Sequence, residues 1–210
     1  MKLLSIDIGI KHLAHCLLDE NGILDWEVNN LDPPYRCCSV ATHSFKGYLC
    51  KKCLANKSLT QLIGLCQGSV PLGTKKEMVA RIKKIWDPLT PTMVELGKRL
   101  IQVYQDLSPE VVIVENQIGP LASKMKAMQG MVVQYWLMRG AKVECISAVN
   151  KLKLFHQGPT TYSERKKLSI QYAKEYLKEK GWDETPLLKH KKKDDLADTL
   201  LQAVWFLSRS

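Results

Sequence analysis

The sequence predicts a mixed α/β domain, a five-stranded sheet with helices on both faces. Two observations lead there. The chain opens with three short apolar segments joined by tight connections, as in an antiparallel meander. Its later part alternates amphipathic and continuous apolar runs in the order helix, strand, helix, strand, helix, helix. At 210 residues there is room for one such domain and a small appendage, and too little for two large domains.

Leu3 to Asp7 is short and apolar and ends in an acid. His12 to Leu18 and Ile23 to Val28 are the next two strands, with the turn signal Asp19-Glu20-Asn21-Gly22 between them. Asp32-Pro33-Pro34 is a composition break. From Tyr35 to about Asn56 the chain is cysteine-rich and basic. From Lys57 to Lys84 it reads as a helix, a loop around Pro71-Leu72-Gly73-Thr74, and a second helix. Thr90-Pro91 opens a long amphipathic helix with Met93, Leu96, Leu100, Ile101 and Tyr104 at helical spacing, and Ser108-Pro109 ends it. Val111 to Val114 is a strand buried on both faces, closed by Glu115. A helix from about Pro120 to Met138, a strand from Lys142 to Ser147, a basic helix from Ser163 to Lys180 and a last helix from Lys191 to Ser208 follow. Gly181 and Pro186 act as breakers between the final two. Late strands joined through helices require right-handed crossovers and a parallel half-sheet. The expected division is a core of residues 1–32 and 88–210, with 33–56 and 57–87 inserted.

Lys and Arg number 31 against 21 Asp and Glu, a net charge of +10. An enzyme of neutral metabolites has no need of that excess; polyanions, nucleic acid first among them, are the natural partners. No run approaches the ~20 apolar residues of a membrane span, and no signal peptide is expected ahead of the first strand. Seven cysteines, without the spacing of a disulfide scaffold, point to a reducing compartment and to metal.

The chemistry lies in acids from distant places. Asp7 and Glu115 each end an apolar strand, where an uncompensated charge is costly. If the first and fourth strands lie side by side and parallel, both acids reach one sheet edge. Asp195 and Asp198, i and i+3 at the start of the last helix, share a face, with Asp194 adjacent. Acids so placed repel unless a cation sits among them, and hard oxygen donors suit Mg²⁺ or Mn²⁺. Two such ions clamp the attacking and leaving oxygens of a phosphodiester. Asn116 and Gln117 either orient water or a phosphate oxygen there or hydrogen-bond the strand edge.

Leu4-Ser5-Ile6-Asp7-Ile8-Gly9-Ile10-Lys11, Val112-Ile113-Val114-Glu115-Asn116-Gln117 and Lys193-Asp194-Asp195-Leu196-Ala197-Asp198 together resemble the Holliday-junction resolvases of the RuvC type. The likeness is greatest to the poxvirus, large-DNA-virus and fungal mitochondrial resolvases, and it covers the chain outside about residues 33–87. It implies a ribonuclease H-like fold and paired symmetric nicks in four-way or otherwise branched DNA, made by a homodimer. It also implies Asp7, Glu115, Asp195 and Asp198 as ligands of two Mg²⁺ or Mn²⁺ ions. Lys151 and Lys153 fall where bacterial relatives carry a lysine near the scissile phosphate; Lys151 is the candidate catalytic cation and Lys153 a candidate DNA contact. The implied setting is intracellular, in a virus factory, nucleus or mitochondrion.

Cys37, Cys38, His43, Cys50 and Cys53 fall within a short span, and Cys50-x-x-Cys53 is ordinary half-site spacing for a structural Zn²⁺. Gly47 permits a hairpin between the halves. Cys38 with either Cys37 or His43 would complete the site, at a point where viral resolvases of the resembling group often carry such a knuckle. Cys16, Cys66 and Cys145 lie on apolar segments and read as core. Lys57 through Ile82 resembles a SAP motif, a small DNA-binding helix–loop–helix, most specifically in its Gly73-Thr74-Lys75 and Glu77 to Ile82 stretch. Lys75, Lys76, Arg81, Lys83 and Lys84 are its candidate phosphate contacts, near a helix N-terminus at Thr74. Arg165, Lys166 and Lys167 begin a second basic concentration that leads to the aspartates. Met125, Met128, Met131, Val132, Tyr135 and Trp136 stripe one helix, as core or as a dimer face. The competing functions are an RNA-processing or RNA–DNA hybrid nuclease of the same fold and a non-catalytic DNA-binding protein. An actin-like or sugar-kinase ATPase, which also carries Asp-x-Gly after a first strand, needs a second large domain for which there is no room.

Overall fold

The computed structural model describes residues 1–31, 91–117 and 123–209, together with 56, 58, 61, 74–77 and the backbone of 43–44 and 87–88. The chain divides into two units, residues 1–31 with 93–210, and residues 32–92.

In the first unit, β1 (Leu3–Asp7), β2 (Leu13–Asp19) and β3 (Gly22–Asn29) form the expected meander. After β4 (His43–Ser44) and β5 (Asp87–Pro88) of the second unit come α1 (Met93–Tyr104), β6 (Val111–Glu115), α2 (Ser123–Met138) and β7 (Lys142–Ile146). A 3-10 turn (Ala148–Leu152), α3 (Tyr162–Lys180), α4 (Thr185–Lys189) and α5 (Lys193–Leu207) complete it. The sheet order is β3-β2-β1-β6-β7. β1 pairs antiparallel with β2 and parallel with β6, and β6 pairs parallel with β7.

Alternation along the strands builds a core on each face. Leu3, Cys16, Leu18, Trp26 and Ile113 pack with Ala173 and Leu177 of α3 and Leu196, Leu200 and Leu201 of α5. Leu4, Ile6, Leu17, Val112 and Val114 pack with Leu96, Leu100 and Tyr104 of α1 and Met128, Val132 and Trp136 of α2. The methionine and aromatic stripe of α2 is therefore core, with Met125, Met131 and Tyr135 partly buried against it. Trp26 pins β3 to α5, its Nε1 donating to the Leu196 carbonyl at 3.1 Å and to Thr199 Oγ1 at 3.3 Å.

Local signals set the ends of α3. Thr161 Oγ1 accepts from the Glu164 amide, and the Glu164 carboxylate accepts from the Thr161 amide at 2.8 Å, a reciprocal cap. Gly181 closes the helix at φ +67°, a conformation costly for a residue with a Cβ. Two expectations are corrected. Pro186 does not only break the chain: it sits in the first turn of α4, where its missing amide proton costs nothing. Cys145 is exposed rather than core, because β7 is the sheet's edge; its sulfur accepts from Gln129 Nε2 at 3.2 Å. Cys16 is buried as expected, and burial pushes its thiol pKa up. Cys66 lies outside the described residues.

In the second unit, β4 (His43–Ser44) pairs antiparallel with β5 (Asp87–Pro88). Ser58 with Gln61, and Thr74 with Glu77, make reciprocal side-chain-to-backbone bonds of the kind that start helices. Lys75 and Lys76, in the helical turn after Thr74, are exposed. No helix among the described residues is long and apolar enough to cross a membrane.

Candidate active site

Strand pairing decides where the first two acids meet. Ile6 of β1 lies opposite Val114 of β6 in a parallel ladder, so Asp7 and Glu115 leave the sheet together at its C-terminal edge. Asp195 and Asp198, in the first turns of α5, complete the group. All four line one cleft of about 740 Å³. Asp194 also lines it, and its carboxylate takes the Lys166 ammonium at 2.5 Å.

Lys151, brought in by the 3-10 turn after β7, places its ammonium between two of these acids. It donates to Asp198 Oδ2 and, at 3.4 Å, to Glu115 Oε2. Gln202, fully buried on α5, donates to the same Glu115 oxygen at 2.5 Å. Sequence reasoning missed Gln202. Its signal was a polar residue inside Leu200-Leu201-Gln202-Ala203-Val204, on the helix face of Asp195 and Asp198.

The electrostatics follow from that crowding. Burial first, then the Glu115 charge, pushes the Asp7 pKa well above the usual carboxylate range, against the pull of Lys151. Glu115 is raised by burial, with Lys151 opposing and Asp198 adding to the rise. Asp195 is raised by burial and by Asp194. Asp194 is lowered: burial opposes, and the Lys166 bond and charge outweigh it. Lys151 is held above its ordinary value, because Asp198 and Glu115 outweigh its desolvation.

These residues fit a divalent cation by their chemistry. The donors are all hard carboxylate oxygens, and Asp195 Oδ2 and Asp198 Oδ1 are buried without a hydrogen-bond partner. Among the described residues no three His, Cys, Asp or Glu side chains close on one point as the ligands of a metal do. Here the nearest positive charge to Glu115 and Asp198 is Lys151.

The structure also places the other candidates. Lys153, Arg165 and Lys166 line the same cleft. Lys153 is exposed, with its ammonium 5.9 Å from the centre of the Trp205 ring. Asn116 and Gln117 serve the strand edge rather than the acids: Asn116 donates from its amide to the Ile146 carbonyl, and Gln129 bridges Asn116 Oδ1 and the Gln117 amide. Lys75 and Lys76 are in the second unit. Arg81, Lys83, Lys84, Cys37, Cys38, Cys50 and Cys53 lie outside the described residues, and of His43 only the backbone is described.

A five-stranded β3-β2-β1-β6-β7 sheet with acids gathered at the ends of β1 and β6 and the start of α5 defines a ribonuclease H-like scaffold of the RuvC type. The fold is shared with the fowlpox virus resolvase in its complex with Holliday junction DNA (TM-score 0.57, 15% identity, covering 100% of this chain and 98% of that one). The fowlpox virus Holliday junction resolvase without DNA gives 0.54 at 15% identity, with both chains covered in full. Thermus thermophilus RuvC gives 0.50 at 18% identity, over 100% of this chain and 96% of that one. No curated protein sequence matches the chain. The profile of the Poxvirus A22 protein family matches residues 81–209, and the chain belongs to that family.

Proposed function

We propose that the protein is a structure-selective DNA endonuclease that resolves four-way junctions by hydrolysing a phosphodiester in each of two symmetric strands. The observation that carries this reading is that Asp7, Glu115, Asp195 and Asp198 line one cleft together with Lys151, Lys153, Arg165 and Lys166. The solved structures that share the fold are described as the fowlpox virus Holliday junction resolvase, once with junction DNA, and Thermus thermophilus RuvC.

Asp7, Glu115, Asp195 and Asp198 are the residues that would hold two divalent ions of the Mg²⁺ or Mn²⁺ kind. When bound, such ions supply an activated water and stabilise the departing 3′ oxygen. The protein supplies position and charge. The Lys151 ammonium neutralises Asp198 and Glu115 and is near enough to the cleft to meet charge building on a phosphate. Lys166, held against Asp194 and over the Tyr162 ring, and Arg165 beside it offer fixed positive charge to the phosphates flanking the cut. Without these cations the acids would repel a DNA backbone.

The rest of the reading concerns residues 33–87. Cys38, Cys50 and Cys53 with Cys37 or His43 make a structural Zn²⁺ knuckle, and the SAP-like stretch adds phosphate contacts from Lys75, Lys76, Arg81, Lys83 and Lys84. A homodimer supplies the second active site that paired nicks require.

Cleavage of a synthetic four-way junction in Mg²⁺, beside matched linear duplex and RNA–DNA hybrid, tests the reading. The expected result is paired nicks in the junction, none in the duplex, and loss of cleavage with retained binding in Asp7→Asn and Glu115→Gln. Preferred cutting of the hybrid, or nicking undiminished by both substitutions, overturns it.

A further inference from the structure

Gln202 has no exposed surface and stands in an otherwise apolar run on α5. A leucine would fill its place in the core without an amide to satisfy. Both ends of that amide are engaged. Nε2 donates to Glu115 Oε2 at 2.5 Å, and Oε1 accepts from Ser5 Oγ at 3.3 Å. Ser5, equally buried, is on β1 two residues before Asp7. An ionised carboxylate only accepts hydrogen bonds, so in the form that binds metal Glu115 takes the amide nitrogen. The amide oxygen then needs a donor, and Ser5 supplies one.

We propose that Gln202 is a positioning residue that fixes the Glu115 carboxylate for metal binding, with Ser5 fixing the direction of the Gln202 amide. Gln202 and Lys151 both donate to Oε2 of Glu115, and Oε1 accepts from neither, which leaves that oxygen for a cation. Asp195, Asp198 and Gln202 follow one another at i, i+3 and i+7 on α5, so one rigid helix presents two acids and braces a third from beneath. The Ser5–Gln202–Glu115 chain ties β1, α5 and β6 together under the cleft. A ligand held this way needs less ordering when the ion arrives, and metal affinity is the quantity that records it.

This inference rests on the metal-nuclease reading above. Its test is Mn²⁺ binding to the DNA-free protein, followed by loss of the free-ion electron paramagnetic resonance signal, with Tm measured on each sample. Wild type binds Mn²⁺. In Gln202→Met the half-saturating Mn²⁺ concentration rises at least tenfold, and in Ser5→Ala it rises two- to fivefold. Folded variants whose Mn²⁺ midpoints match wild type overturn the inference and leave the nuclease reading standing. Should Gln202→Met fail to fold, Ser5→Ala, which deletes a single hydroxyl, decides alone by the same criterion. A wild-type protein that binds no Mn²⁺ overturns both.

Discussion

Asp7 and Glu115 follow the Ile6–Val114 pair out of two parallel strands, so two half-buried carboxylates stand next to each other where both strands stop. The Glu115 charge raises the cost of ionising Asp7, burial being the larger cause. Asp7→Asn therefore stabilises the metal-free protein by about 1 kcal/mol, a rise of roughly 2–4 °C in Tm for a domain of this size. Differential scanning calorimetry in EDTA reads it. An unchanged or lower Tm would mean the two acids are not in electrostatic contact.

Lys151 serves as the counter-ion of the same group. Lys151→Met leaves Glu115 and Asp198 facing each other without it and costs the metal-free fold on the order of 3 kcal/mol, as for one partner removed from a largely buried ion pair. Added Mg²⁺ then raises Tm further in the variant than in wild type. Equal Tm values in EDTA would contradict this.

Lys153, Arg165 and Lys166 line the cleft, where the proposed function has them meet phosphate. Replacing all three with Ala weakens junction binding. It also makes the plot of log affinity against log salt shallower, by about 0.9 in slope for each phosphate no longer neutralised. Filter binding between 50 and 200 mM salt, roughly a thousandfold range in affinity for a protein that neutralises many phosphates, gives the slope. A parallel, merely displaced line would show that these cations do not touch phosphate.

His15, buried on β2, bonds Asp25 of β3 at 2.9 Å, and that bond holds the Asp25 pKa below its ordinary value. The folded pKa is the lower one, so the stabilisation is complete above the unfolded value near 4 and disappears as pH falls through the folded value. Urea unfolding of wild type and Asp25→Asn should differ most above pH 5 and converge toward pH 2. A gap of constant size would exclude the linkage.

The Cys50-x-x-Cys53 half-site predicts about one Zn²⁺ per chain, since four protein ligands close such a site. Elemental analysis of protein purified without added metal measures it. Cys50→Ser with Cys53→Ser should abolish it, and zinc retained in that double variant would move the site elsewhere.

The order of elements and the neighbouring of β1 and β6 were legible because their residues obey one rule at a time. Val111 to Val114 is apolar throughout and becomes a central strand; Leu3 to Asp7 keeps its bounds to the residue. The positions that escaped each serve two demands. Pro186 is of a residue type that both ends and starts helices, and here it starts α4 while Gly181 closes α3. Cys145 follows an apolar pattern on a strand that, among the described residues, has no neighbour beyond it. Gln202 is polar for the sake of residues 87 and 197 positions away in the chain, a relation that no local periodicity records.

The packing of α5 has a further consequence. The leucines that seat it against β1 and β3 stand on the same helix as Asp195 and Asp198, so a core substitution that shifts α5 carries two of the four acids away from Asp7 and Glu115 together.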